Sequence, residues 1–287
     1  MAAKQLAGKT ALVTGSSRGI GRAIAQRLAS EGATVIVTGR SFETSAGEPG
    51  TLRETVALIE ARGGRALPIV CDLERQDECE GLIAAATQVA GSVDILVNNA
   101  GLAAYVPLES MPIETFDRTI AHYLRAPFIL VQAVIPQMKA RGAGWIVNIG
   151  SVTAQAPIKP YSVFDTDIGA TIYAAAKAAV NRFTQGAAAE LLASNIAVNM
   201  VAPSTAIVTP GAARYIPDDY PGENVAYLAQ TVVEMCHLPA SERSGVLAHS
   251  MHFPSAHRLA VMDLDGVTPL PPAEVPAWSH PAAGAGS

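Results

Sequence analysis

The sequence predicts an α/β protein with a doubly wound parallel sheet of about seven strands and helices on both faces. Three observations predict it. Short apolar, β-branched runs alternate with stretches of helical apolar spacing to about residue 250. A glycine-rich turn, Thr14-Gly15-Ser16-Ser17-Arg18-Gly19-Ile20-Gly21, joins the first run to the first helical stretch. Chemically distinctive residues (Asn98-Asn99-Ala100-Gly101, Ser151, Pro203) follow directly after other predicted strands. Right-handed crossovers place all strand C-termini on one edge of such a sheet, where ligands bind. These segments are therefore expected to meet at one site.

The elements follow in order. Residues 10–14 form an apolar run that stops at Gly15, and 22–29 carry apolar residues at helical spacing. A second strand is expected over 34–38, a helix over 51–62, a third strand over 66–70 and a helix over 76–89. Residues 94–97 read as the fourth strand, followed by one long helix over 112–141. The fifth strand spans 145–149, a helix 173–192, the sixth strand 197–201 and a helix 224–236. Residues 245–248 read as the seventh strand. Residues 41–50 form a polar loop. One catalytic domain is expected over 1–265, and 266–287, rich in Pro, Ala and Gly, as an extended or disordered tail.

Composition narrows the class. At 49% hydrophobic and 16% charged, the chain can bury a large core. A net charge of −5 offers no basic face for nucleic acid. Cys71, Cys79 and Cys236 are odd in number and lack metal-ligand spacing, which fits reduced thiols in a cytoplasm. The first apolar run is already the first strand, so no signal peptide is expected, and no apolar stretch is long enough to span a bilayer. His249, His252 and His257 cluster without a companion carboxylate or cysteine, so no metal is expected.

In the glycine turn, Gly15 permits the tight bend, and Gly19 and Gly21 permit close backbone approach. The helix N-terminus behind them offers unpaired N–H groups to a pyrophosphate. Tyr173 and Lys177 are four apart in Tyr-Ala-Ala-Ala-Lys and share a helix face. A free phenol titrates near 10, too high for acid–base work at neutrality, and a fixed ammonium beside it is expected to lower that value. Ser151, at a strand end, is placed to hydrogen-bond a substrate oxygen. Singly, Tyr173 reads more readily as a packed aromatic and Lys177 as a solvated charge. Together with the turn they point to nicotinamide-dependent carbonyl/alcohol chemistry.

The glycine turn, Asp72, Asn98-Asn99-Ala100-Gly101, Ser151 and Tyr173 with Lys177 occur in the order seen in short-chain dehydrogenases/reductases, and the chain resembles the compact, non-extended members over roughly residues 6–250. The resemblance implies a single Rossmann-type domain, a homodimer or homotetramer, and a small-molecule carbonyl or alcohol substrate. It also implies catalysis by Ser151, Tyr173 and Lys177. The dinucleotide would be held by Gly15, Ser17, Arg18, Gly19, Ile20, Gly21 and Arg40, by Asp72 and Leu73 flanking the adenine, and by Asn99, Ala100 and Gly101. Tyr173, Lys177 and Ile207 complete the set, with Lys177 also on the nicotinamide ribose.

Four departures stand out. Tyr123 occupies the position of a family asparagine, and cannot copy an amide's paired donor and acceptor. Ser151 and Tyr173 are unusually far apart, and the extra segment over 157–168 is expected to form a wall or lid. It contains Tyr161, a rival acid whose +4 position is Asp165 rather than lysine. Pro203-Ser204 replaces the usual Pro-Gly, and Asp263-Leu264-Asp265-Gly266 only faintly matches the family's C-terminal signature. At the end of the second strand, Thr38-Gly39-Arg40-Ser41 lacks the acid that selects NAD, and Arg40 with Arg18 suits a 2′-phosphate. NADP(H) is therefore expected over NAD(H); the alternative is two surface arginines and NAD bound without the acidic contact. Ile207, Val208, Tyr215, Ile216 and Tyr220, with Tyr105 and Phe164, suggest an apolar ketone or secondary alcohol, unless they pack a subunit contact. A non-catalytic dinucleotide-binding sensor or scaffold is the alternative function, and an epimerase or lyase a weaker one.

Overall fold

A computed structural model describes residues 4–43 and 50–284; most of the polar loop read over 41–50 lies outside the described residues. Seven parallel strands form one sheet in the order β3-β2-β1-β4-β5-β6-β7. They are β1 (Thr10–Val13), β2 (Thr34–Gly39), β3 (Arg65–Val70), β4 (Ile95–Asn98), β5 (Gly144–Ile149), β6 (Ile196–Ala202) and β7 (Leu247–His249). The strand order reverses between β1 and β4, and a crevice opens beyond their C-terminal ends. The central strands are buried on both faces, which is why they read as continuous apolar runs.

Helices cover both faces. On one side α1 (Gly19–Ser30), α2 (Leu52–Glu60) and α8 (Val225–Glu234) bury Ile24, Leu28, Leu52, Leu228 and Val232 against β1, β2 and β5. On the other, α3 (Gln76–Ala90), α5 (Ala126–Arg141) and α7 (Thr171–Leu191) pack Leu82, Leu130, Val134 and Leu191 onto Leu12, Leu96 and Ile146.

Three elements differ from expectation. The single helix read over 112–141 is α4 (Ile113–Ile120), a π-helical turn (Ala121–Arg125) and α5. Pro127 has no N–H to give the carbonyl of Tyr123, and the N–H of Ala126 reaches back five residues to Ala121. The insertion contains a short helix, α6 (Val163–Asp167), closed by a reciprocal Ser162/Asp165 capping box. A further short helix, α9 (His252–His257), follows β7.

The tail is extended but docked. Its start folds back through an antiparallel bridge, Met262 with Pro269, around a turn that Asp265 holds by accepting from Val267 N and Thr268 N. Beyond it Tyr227 Oη donates to Pro271 O at 2.9 Å, Trp278 packs edge-on against Tyr220, and Ala283 is fully buried.

Candidate active site

The glycine turn lies across the strand-order switch. Gly15 and Gly19 take left-handed φ of +63° and +55°, which only glycine adopts without strain. A Cβ on Gly15 would meet Ala100 Cα at 2.9 Å, and one on Gly21 would collide with the carbonyl of Gly15 and the side chain of Asn99. Arg18, the N-cap of α1, gives no side-chain cap, and the first turn contains no acid. Its N–H groups thus remain available to an anion, and the cradle fits a pyrophosphate.

Thr14 joins this turn to the next. Its Oγ1 accepts from Asn99 N at 2.9 Å and Ala100 N at 3.0 Å, while Asn99 Nδ2 donates to Thr14 O at 2.8 Å. Below them a polar ladder crosses the core: Asn98 Nδ2 donates to Asn148 Oδ1, and Asn148 Nδ2 to Thr184 Oγ1, both at 2.9 Å. Asn98 and Asn148 are register partners on β4 and β5. Sequence reasoning named Thr14 as part of the turn without giving it this role, and missed Asn148 and Thr184; buried polar residues at two paired strand ends were the signal available.

Ser151, Tyr173 and Lys177 converge at the end of β5. Lys177 is buried, its Nζ donates to Ile149 O at 2.7 Å, and it lies 4.2 Å from the Tyr123 ring centroid and 5.8 Å from that of Tyr173. Burial pushes the ammonium down to about 7. Ser151 Oγ accepts from Thr153 N at 3.2 Å and Thr153 Oγ1 at 2.8 Å, so its own proton points elsewhere. Thr153 is a further residue that the sequence did not flag.

Burial also raises the Tyr173 phenol above its ordinary value, and the hydroxyls of Ser151, Tyr105 and Tyr123 offset part of that rise. The lowering expected from Lys177 is not found: the lysine is not among the groups that shift the phenol, and burial sets the direction. Tyr123, at the asparagine position, anchors the cleft differently. Its Oη donates to Leu102 O at 2.9 Å and its ring fills the space where a Gly101 Cβ would sit.

Aromatic side chains roof the site. Tyr105 packs 5.2 Å from Tyr173, 4.5 Å from Tyr215 and 6.4 Å from Phe164 of α6, so the insertion contributes a wall. Ile207 is buried, and Thr209 of the same loop reaches the turn at Gly19. Glu223 pins that loop: it accepts from Ser204 N, Thr205 N and Ser250 Oγ, and burial pushes its carboxyl up. Arg40 stands exposed directly after β2, and Asp72 and Leu73 follow β3 at the same sheet edge. Tyr161 is exposed in the insertion, beside Lys159.

Among the described residues no group of three His, Cys, Asp or Glu is placed to hold a metal. His252 Nδ1 instead pairs with Ser204 Oγ at 2.8 Å, and His257 stacks on Phe253. Among the described residues no helix is long and apolar enough to cross a membrane.

Fold and site together define a dinucleotide-binding α/β protein with a Ser/Tyr/Lys group at its switch point. The family model described as short chain dehydrogenase matches residues 9–218, and the chain belongs to that family. It is 38% identical over 189 residues to a short-chain dehydrogenase of Pseudocercospora fijiensis, covering 65% of this chain and 56% of that one. The chain thus spans less than two thirds of that relative's length. A hydroxynaphthalene reductase-like protein Arp2 of Metarhizium majus is 34% identical, covering 82% of this chain and 83% of that protein. The 3-oxoacyl (acyl-carrier-protein) reductase of Agrobacterium tumefaciens C58, solved with NADP bound, superposes with a TM-score of 0.73 at 29% identity, covering 86% and 94% of the two chains.

Proposed function

We propose that this protein is an NADP(H)-dependent oxidoreductase acting on an apolar ketone or secondary alcohol, with Tyr173 as general acid and base. The observation that carries this reading is the convergence of Ser151, Tyr173 and Lys177 beside a glycine cradle shaped for pyrophosphate. A dinucleotide held in the glycine cradle would supply or accept the hydride when bound. Ser151, oriented by Thr153, donates to the carbonyl oxygen and holds it at the phenol. Tyr173 gives that oxygen its proton in reduction and takes it back in oxidation. Lys177, charged, stabilises the phenolate left behind.

Gly15, Ser17, Gly19, Ile20 and Gly21 hold the pyrophosphate, Asp72 and Leu73 flank the adenine, and Asn99, Ala100, Gly101 and Ile207 line the cleft. Arg40 and Arg18 select the 2′-phosphate, in keeping with the NADP in the Agrobacterium relative. The walls of Tyr105, Phe164 and Tyr215 suit a flat, apolar carbonyl, which agrees with the name of the Metarhizium relative. Residues 1–265 as the catalytic unit, a homodimer or homotetramer, and a cytoplasmic location belong to the same reading.

The test is a panel of aryl and alkyl ketones assayed with NADPH and NADH in parallel. Turnover of an aryl ketone at a KM for NADPH well below that for NADH is expected. Half-saturation at lower NADH overturns the cofactor assignment. The rival reading, a sensor or scaffold, is favoured by the aromatic roof that Tyr105 places over Tyr173. Such a protein binds NADPH without consuming it on any ketone.

A further inference from the structure

Three hydroxyls act on the phenol of Tyr173: those of Ser151, Tyr105 and Tyr123. A hydroxyl has one proton to give, so what each spends it on decides its role. Tyr123 gives its proton to Leu102 O at 2.9 Å. Ser151 accepts from Thr153 N and Thr153 Oγ1, and its own proton is the one assigned above to the substrate oxygen. That leaves Tyr105. Among the described residues its hydroxyl bonds to Tyr173, and Tyr105 is the donor of that pair, since the bond favours the neutral form of Tyr105 and the charged form of Tyr173. Burial, more than any neighbour, pushes the Tyr105 phenol far above its ordinary value, so it keeps its proton at every working pH.

The fold fixes Tyr105 in this place from several sides. Its ring stands edge-on to that of Tyr173, with centroids 5.2 Å apart and planes at 83°. Tyr215 backs it at 4.5 Å and is itself anchored, its Oη donating to Ala103 O at 3.1 Å. Phe164 of the insertion closes the remaining side at 6.4 Å. The loop that carries Tyr105 is clamped to the residues just before α7, the helix that carries Tyr173. Val106 N donates to Gly169 O at 3.0 Å, and Gly169 takes a left-handed φ of +69°. A Cβ on Gly169 would collide with the backbone of Val106 and Pro107. Both tyrosines therefore hang from one joint, one residue and four residues away from it. Lys177 lies 5.8 Å from the Tyr173 ring centroid and donates to Ile149 O.

We propose that Tyr105 is a further catalytic residue: its hydroxyl donates to the oxygen of Tyr173, which frees the Tyr173 proton for the substrate and steadies the charge left on that oxygen. The role rests on the reading of Tyr173 as general acid and base. In reduction the O–H bond of Tyr173 breaks and its proton passes to the substrate oxygen, while the substrate carbon takes its hydride from the dinucleotide. The electron pair of the broken bond stays on the Tyr173 oxygen, where Tyr105 meets it with a charge-assisted hydrogen bond. Tyr105 keeps its own proton throughout. Oxidation runs the same bonds in reverse.

The first measurement uses the whole chain without dinucleotide or ketone. Fluorotyrosine is incorporated throughout, its more acidic phenol bringing the titration into the range where the chain stays folded. The Tyr173 resonance, identified by its loss in Tyr173→Phe, is followed against pH. In Tyr105→Phe, which keeps the ring packing, the Tyr173 midpoint is expected to rise by about one unit, a tenfold loss of acidity. With a ketone and saturating NADPH, kcat of that variant falls about three- to tenfold and KM changes little. An unchanged or lower midpoint overturns the proposal. So does a defect seen in Tyr105→Leu but absent from Tyr105→Phe, which marks packing alone. Should Tyr105→Phe fail to fold, a crystal structure of the unaltered protein decides: Tyr105 Oη within hydrogen-bond distance of Tyr173 Oη supports the role, and a hydroxyl turned to another acceptor overturns it. Failure of every ketone to be reduced sinks the oxidoreductase reading while leaving the titration result standing.

Discussion

At the scale of single residues, burial works against the charged forms of two groups in the site. Tyr173 resists becoming a phenolate and Lys177 resists remaining an ammonium. Replacing Tyr173 by Phe removes only the hydroxyl proposed as proton donor, since the ring packing against Tyr105 and Tyr123 is kept. Turnover of a ketone substrate is expected to fall by about 10²–10⁴-fold, with NADPH binding by fluorescence titration unchanged. Wild-type turnover in that variant removes Tyr173 from the chemistry. Lys177 has the opposite signature in stability. Unfolded, it titrates at the ordinary lysine value of 10.5, and folded without ligand near 7. Between these values the unfolded chain binds more protons, so stability rises with pH through the window and burial of the cation costs most below it. Lys177→Met is therefore expected to abolish activity while raising stability at pH 6 by about 1–3 kcal/mol. Thermal melts of both proteins at pH 6 and pH 10 check this: the gain shrinks at the higher pH, and a lower melting temperature for the variant at pH 6 contradicts it.

At the scale of elements, the strands were legible because a parallel sheet covered on both faces demands short apolar runs bounded by turn residues. Ser151, Tyr173 and Lys177 were legible for a similar reason: their spacing is local, and strand ends and helix faces are local properties. What was hidden is relational. Thr14, Asn148, Thr153 and Glu223 act through partners that only the fold supplies. The π-helical turn had a cue in Pro127, but a proline one turn into a helix reads equally well as an N-terminal position. The turn matters because it seats Tyr123 against Gly101, where an added Cβ would lie 2.6 Å from the ring's Cε1. That ring is confined by Lys177 and Tyr173, so it cannot yield. Gly101→Ala is expected to cost about 1–3 kcal/mol in chemical denaturation. Adding Tyr123→Phe, which keeps Cε1, gives no relief, whereas Tyr123→Leu recovers much of the loss in a double-mutant cycle. Simple additivity with leucine rules out the clash.

At the scale of the whole molecule, three segments remote in sequence close the mouth of the site. The loop after β6 is pinned by Glu223, the insertion after Ser151 supplies Phe164, and the tail ties the two together. His280 Nε2 lies 3.0 Å from Ala156 O directly before the insertion, Trp278 packs on Tyr220 of the loop, and Ser279 Oγ lies 3.4 Å from His252 Nε2. Composition suggested an extended or disordered tail, because proline, alanine and glycine dominate it. The few residues that dock it, Trp278 and His280 foremost, have partners more than fifty residues away and leave no local pattern. A tail that bridges two walls fixes the shape of the mouth without touching Tyr173. Ending the chain at Pro276 should then raise KM for an apolar ketone by about tenfold while kcat changes little, the signature of lost uniform binding. The melting temperature should fall by only a few degrees, since the sheet and both helical layers stay intact. Steady-state kinetics on the truncated and untruncated proteins decide it: an equal KM means the tail merely rests on the surface, and a collapse of kcat means it supports the Ser151, Tyr173 and Lys177 group itself.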